Sequence, residues 1–321
     1  MIGALTLLFG AALVATFAPA LLRRLLRRRL DPQAVLVVWS VLVGMTFLTT
    51  VSMLVIVMLP THGPMLALMR FAHHYTSPSL HHGSAPVHEL IGSLLLIPVA
   101  GVLVLLAHGL VKRSRRQRQV HRHQLDLLRI AADPEPGRFT TMWLPHAEPL
   151  AYSVAGTPSF VVATQGIRDR LPAADAAAVI EHERAHLRGH HHLLVGVAEA
   201  MANSAPWIPL MRHSPGLVRA AVELAADRVA ARAHGATAVR TALLTMTDRG
   251  SRAPDTALGM SEDHIDLRLS HLETSGLGSS PAKRALGSGL AGLTAAALLA
   301  LVGAGLLFAV VTLFCGVLLA S

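Results

Sequence analysis

The sequence predicts a mainly α-helical membrane protein, with four transmembrane helices and a cytoplasmic α+β domain inserted between the third and the fourth. Three observations predict it. The 321 residues are 52% hydrophobic and 15% charged, with a mean hydropathy of +0.50, whereas soluble domains carry about 25% charged residues. Four apolar stretches are long enough to cross about 30 Å of hydrocarbon, which takes roughly 20 helical residues; they are 2–22, 34–59, 90–111 and one within 286–320. Basic residues cluster at particular ends of these stretches.

The first span is followed by Arg23, Arg24, Arg27, Arg28 and Arg29, and the third by Lys112, Arg113, Arg115, Arg116 and Arg118. Lys283 and Arg284 precede the fourth, while the connection 60–88 holds only Arg70. Cytoplasmic loops are enriched in Lys and Arg, so both termini are expected outside and residues 112–284 in the cytoplasm. The first span is not a cleavable signal, because its charge follows the apolar run. Three regions result: a three-helix membrane region over 1–111, a cytoplasmic domain over 112–284, and a last helix within 285–321. Much of the +9 net charge is then topological, and no direct nucleic-acid contact is expected. The one cysteine, Cys315, excludes an intrachain disulfide and a cysteine metal cage.

Within the cytoplasmic domain, DPEPG at 133–137 reads as a loop. The β-branched and aromatic residues between breakers at 141–164 read as short strands. The pattern turns helical from Pro172, and a second helix is expected from Ser214-Pro215 to Gly235. A third helix and a loop are expected over 236–258, then a short helix over 261–273.

The chemistry concentrates in AVIEHERAHLRGHHH at 178–192. His182 and His186 stand four apart, so on a helix both imidazoles can reach one metal. Glu183 follows the first of them and can take a proton from water beside that metal. Zinc suits such a site, with three protein ligands and one open position. Glu223 on the next helix is the preferred third ligand, with Glu199 as its competitor. Asp227, one turn beyond Glu223, can accept the free ring N–H of a ligand histidine. His190, His191 and His192 read as a solvated or interfacial cluster. Tyr152, His264 and Arg268 read as structural rather than as substrate groups, and Glu148 and Glu181 as surface charges.

Here the chain resembles the BlaR/MecR-type integral membrane metalloproteases. SFVVATQGIRDRLPAADAAAVIEHERAHLRGHHHLL is similar to their strand, turn and H-E-x-A-H-L helix, and ELAAD to their E-L-x-x-D segment. The resemblance implies a zincin-like domain with His182, His186 and Glu223 on one zinc ion, Glu183 as general base and Asp227 as partner. It also implies a cytoplasmic protein substrate, a winged-helix transcriptional repressor being the type, and leaves homo-oligomerisation open. The chain departs from that family in two ways. Gly189–His192 replaces an acidic residue common after the second histidine, and no penicillin-binding sensor follows the fourth span before Ser321, so β-lactam sensing does not carry over. Two alternatives remain: an HtpX-like quality-control protease and a non-catalytic zinc-binding receptor. HERAHLRGHHH is too polar to lie inside a span, which disfavours intramembrane proteolysis. The outer connection, with His62, His73, His74, His81, His82 and His88, is expected to be a tolerant loop.

Overall fold

The computed structural model describes residues 2–58 apart from 29, most of 101–113, scattered positions up to 130, and then 131–247 and 262–275. The fourth predicted span, much of the third and the histidine-rich connection lie outside the described residues. The first two predicted spans are helices α1 (Ile2–Arg27) and α2 (Pro32–Met58). Helix α1 outlasts its apolar run because arginine is a good helix former. Asp31 starts α2, its Oδ1 accepting the Gln33 N–H at 3.0 Å, with Pro32 at the first helical position. The window Pro32–Thr49 of α2 is long and apolar enough to cross a membrane. Residues 101–113 are helical wherever described.

The domain opens on four strands: β1 (Asp133–Glu135), β2 (Thr140–Leu144), β3 (Ala151–Val154) and β4 (Phe160–Thr164). Their order in the sheet is β1-β2-β4-β3, with β2 and β4 parallel and the other pairs antiparallel. DPEPG is therefore not wholly loop. Asp133–Glu135 pairs with Thr141–Trp143, an edge position where Pro134 is tolerated. Every residue of β4 is buried. Val161 and Ala163 face one cluster with Trp143 and Val179, whereas Phe160 and Val162 face another with Leu125 and Leu128, as the twofold alternation of a strand requires.

Six helices follow: α3 (Gln165–Arg170), α4 (Ala173–Arg188), α5 (His191–Ser204), α6 (Pro209–His234), α7 (Ala236–Thr247) and α8 (Glu262–Ser275). The expected start of α6 at Ser214-Pro215 is wrong by more than one turn, since the helix begins at Pro209. Ser214 does not cap it. Its hydroxyl donates to the Leu210 carbonyl at 2.7 Å and accepts the Trp39 Nε1–H at 2.8 Å, a tertiary contact that local pattern cannot show. Helix α6 packs on α4 and α5 and also on α1 and α2. Leu22, Leu26, Val35 and Trp39 share one core with Val195, Ala198, Leu210, Val218 and Val222. Arg228 of α6 pairs with Asp31 at 2.6 Å, and the His271 ring meets the Leu26 carbonyl at 2.9 Å.

Candidate metal centre

Helix α4 carries the motif and α6 faces it. At positions four apart, His182 and His186 bring their Nε2 atoms to 3.1 Å from each other. Glu223 of α6 closes the group: one carboxylate oxygen lies 3.4 Å from His182 Nε2 and the other 3.4 Å from His186 Nε2. These three residues form a group able to hold a metal ion. Ligand atoms of a tetrahedral zinc, at about 2.0–2.1 Å from the metal, stand about 3.3 Å apart, so the observed spacing and the two-imidazole, one-carboxylate donor set both fit zinc. All three side chains are nearly buried, at 12%, 4% and 13% exposure.

The outer nitrogens of the two histidines are held differently. His182 Nδ1 lies 2.9 Å from Asp227 Oδ1. Despite its burial, ion pairing with Arg268 and the His182 bond bring the Asp227 carboxyl down to about 2. As an anion Asp227 can only accept, so Nδ1 carries a proton, and Nε2 is the nitrogen that can take a metal once it has given up its own proton. His186 Nδ1 instead meets His191 Nδ1 at 2.9 Å, the rings nearly perpendicular. Burial drives the His191 pKa down to about 4, so at neutral pH the ring is uncharged and able to accept from His186.

The expectation of a solvated histidine cluster is thus corrected for two of its three members. His190 adopts the left-handed conformation (φ 50°) between α4 and α5, and this turn folds His191 back over His186. Gly189 makes room for it, since a Cβ at that position would lie 2.3 Å from His191 Nε2. His192 Nε2 lies 3.0 Å from the Ser153 hydroxyl. The signal available in sequence was the glycine directly before three histidines, but only the turn shows which ring comes back.

Glu183 is held beside this group by the Ser153 hydroxyl and backbone, and burial pushes its carboxyl above the usual carboxylate range. Burial opposes charge on His182, but its bonds to Asp227 and Glu223 prevail and raise its pKa to about 10. Burial also disfavours the Glu223 anion, yet His186 and Arg268 hold it well below its ordinary value.

Arg268 of α8 ties the carboxylates together. Its Nε and one terminal nitrogen each lie 2.7 Å from Asp227, and another nitrogen lies 3.2 Å from Glu223. The arginine is 6% exposed, a buried cation shared by the two carboxylates. Glu199, the competing third ligand, lies elsewhere, paired with Arg113 and Arg219. Tyr152 packs with Phe160 and Val162 on the sheet face away from α4. Glu148 is exposed, and Glu181 is partly buried in a 2.5 Å pair with Arg188. The side chain of His264 lies outside the described residues.

Two histidines on α4, a carboxylate from α6 and a glutamate beside the first histidine fit one class of protein: a zincin-type metallopeptidase. Comparison with known families supports that class, because Peptidase family M48 matches residues 114–252, a stretch containing the sheet, the motif helix and Glu223. No curated protein and no solved structure matches the chain.

Proposed function

We propose that the chain is an integral membrane zinc endopeptidase of the BlaR/MecR-like arrangement, acting from the cytoplasmic face on a regulatory protein such as a winged-helix repressor. The observation that carries the reading is the convergence of His182, His186 and Glu223 with Glu183 beside them. His182, His186 and Glu223 would hold the ion, leaving one position open. Zinc bound there supplies Lewis acidity to polarise a peptide carbonyl and make water acidic enough to attack at neutral pH. Glu183, its carboxyl raised by burial, takes the proton from the attacking water and passes it to the leaving amine. Asp227 and His191 keep the two imidazoles in the tautomer that presents Nε2.

The strand that receives substrate needs a correction. A substrate held extended against an edge strand cannot pair with 159–164, because β4 is bonded on both sides, by β2 and β3. Among the described residues the sheet edge beside the site is β3, whose Ser153 touches His192 and Glu183. A substrate chain added to β3 would pass the histidine pair with its backbone hydrogen-bonded and its side chains alternating in and out. The test uses purified protein in detergent or nanodiscs with a winged-helix repressor as the candidate substrate. The expected results are about one zinc per chain and cleavage that a chelator abolishes and added zinc restores. A zinc-loaded protein that cuts neither this substrate nor an unfolded casein refutes the enzymatic reading in favour of a binding role.

A further inference from the structure

Helices α5 and α6 form a hairpin whose turn, 205–208, lies against the α1–α2 pair rather than over the sheet. Two contacts and one electrostatic neighbourhood set its height. Arg228, towards the C-terminal end of α6, pairs with Asp31 in the α1–α2 turn. Ser214, nearer the hairpin tip, bonds Trp39, which is roughly 10 Å along α2 from Pro32 at the helical rise of about 1.5 Å per residue. Arg23 of α1 and Arg212 of α6 both lie within electrostatic reach of His213. Going from Arg228 to Ser214, α6 therefore runs alongside α2 in the direction that leads away from the α1–α2 turn. The tip beyond Ser214 continues further that way.

The tip has the chemistry of a membrane interface. Trp207 is 67% exposed, although Trp39 and Trp143 are almost completely buried. Pro206 is exposed beside it, Ile208 and Met211 are partly exposed, and Leu210 is sealed against α1 and α2. Arg212 is exposed one residue past Met211, and Arg23, Arg24 and Arg27 on α1 and Arg28 just beyond it are exposed too. Leu13, Phe17 and Leu21, one above another on α1, are also exposed. An exposed apolar stripe ending in arginines, and an exposed indole on a turn whose next residues pack on the same helix pair, make the pattern of a bilayer boundary: hydrocarbon, then aromatic ring, then headgroup.

We propose that the α5–α6 turn is a membrane-dipping tip. Trp207 enters the cytoplasmic leaflet below the level of the α1 arginines, and Arg212 and those arginines reach towards anionic headgroups. This rests on the reading that α1 and α2 cross the membrane. It has a consequence for the site. Glu223 is on the same helix as Pro209, roughly 20 Å along its axis at about 1.5 Å per residue. The metal centre is then held at a fixed height over the bilayer by one rigid element, and the peptide bonds it can reach are those presented close to the membrane surface.

The test uses the full chain in phosphatidylcholine vesicles containing phosphatidylglycerol, in a Cys315→Ser background. A single cysteine is introduced by Trp207→Cys, Phe17→Cys or Glu148→Cys and labelled with bimane, and zinc content confirms that each variant is folded. Quenching by nitroxide attached to lipid is compared with quenching by aqueous iodide. The expected result is several-fold stronger lipid quenching at 207 than at 148, approaching that at 17. If 207 behaves like 148 while 17 remains lipid-quenched, the tip is in water and the proposal is overturned with the membrane reading intact. If 17 is quenched by iodide alone, α1 is not in the bilayer and both fall together.

Discussion

Replacing His191 with phenylalanine tests how the second histidine is held. The ring is buried at 6% exposure, so phenylalanine preserves most of the packing while removing both nitrogens. His186 Nδ1–H, now 2.9 Å from an acceptor, is then left unpaired in a site with little access to water. An unsatisfied buried donor costs about 1–3 kcal/mol, and loss of an outer partner to a ligand histidine lowers metal affinity by about 10–100-fold. These two magnitudes agree, since tenfold is about 1.4 kcal/mol. His191→Phe should therefore weaken zinc binding within that range, measured by competition with a chromogenic chelator near pH 7.5. Gly189→Ala should move in the same direction, because its Cβ would stand 2.3 Å from His191 Nε2. Asp227→Asn gives the scale for the other histidine. Wild-type affinity in His191→Phe, alongside a weakened Asp227→Asn, would show that His186 does not depend on the contact.

Glu183→Gln should keep its zinc but lose at least about 100-fold in cleavage rate, the usual scale of a lost general base; loss of the metal as well would make Glu183 part of the binding site instead. Arg268→Met leaves Asp227 and Glu223 without their shared cation, and breaking such a buried pair costs about 3–5 kcal/mol. The zinc-free protein should then unfold at clearly lower temperature in a thermal melt, and an unchanged midpoint would refute the bracing role. In the metal-free protein, the His182 pKa is raised to about 10. Its contribution to stability is complete below its unfolded value of about 6.5 and lost as pH rises through about 10. Asp227, lowered to about 2, contributes above its unfolded value of about 3.9, and the contribution is lost as pH falls through about 2. Zinc binding at pH 7 should accordingly release about one proton from His182, read by calorimetry in buffers of different ionisation enthalpy; no buffer dependence would contradict the raised pKa. A reporter fused after Arg118 should be cytoplasmic and one near Ser79 external, and the reverse labelling would overturn the orientation drawn from the arginines.

Features repeating within a few residues were legible in the sequence. The apolar runs of α1 and α2, the four-residue spacing of His182 and His186, and that of Glu223 and Asp227 follow from helix period and side-chain type, and no distant contact is needed to see them. The strands β2, β3 and β4 were legible for the same reason, whereas β1 was not, because Pro134 and Glu135 take strand form only through pairing with β2. The tertiary structure decided everything that joins distant segments. It placed Glu223 rather than Glu199 at the histidine pair, since Glu199 is drawn off by Arg113 and Arg219. It put β4 in the middle of the sheet and left β3 as the edge beside Glu183. It also turned His191 onto His186, set Arg268 under the two carboxylates and laid α6 along α1 and α2. Each of these depends on where a buried charge or an unpaired polar atom finds its partner across a long stretch of chain, and local periodicity carries no record of that choice.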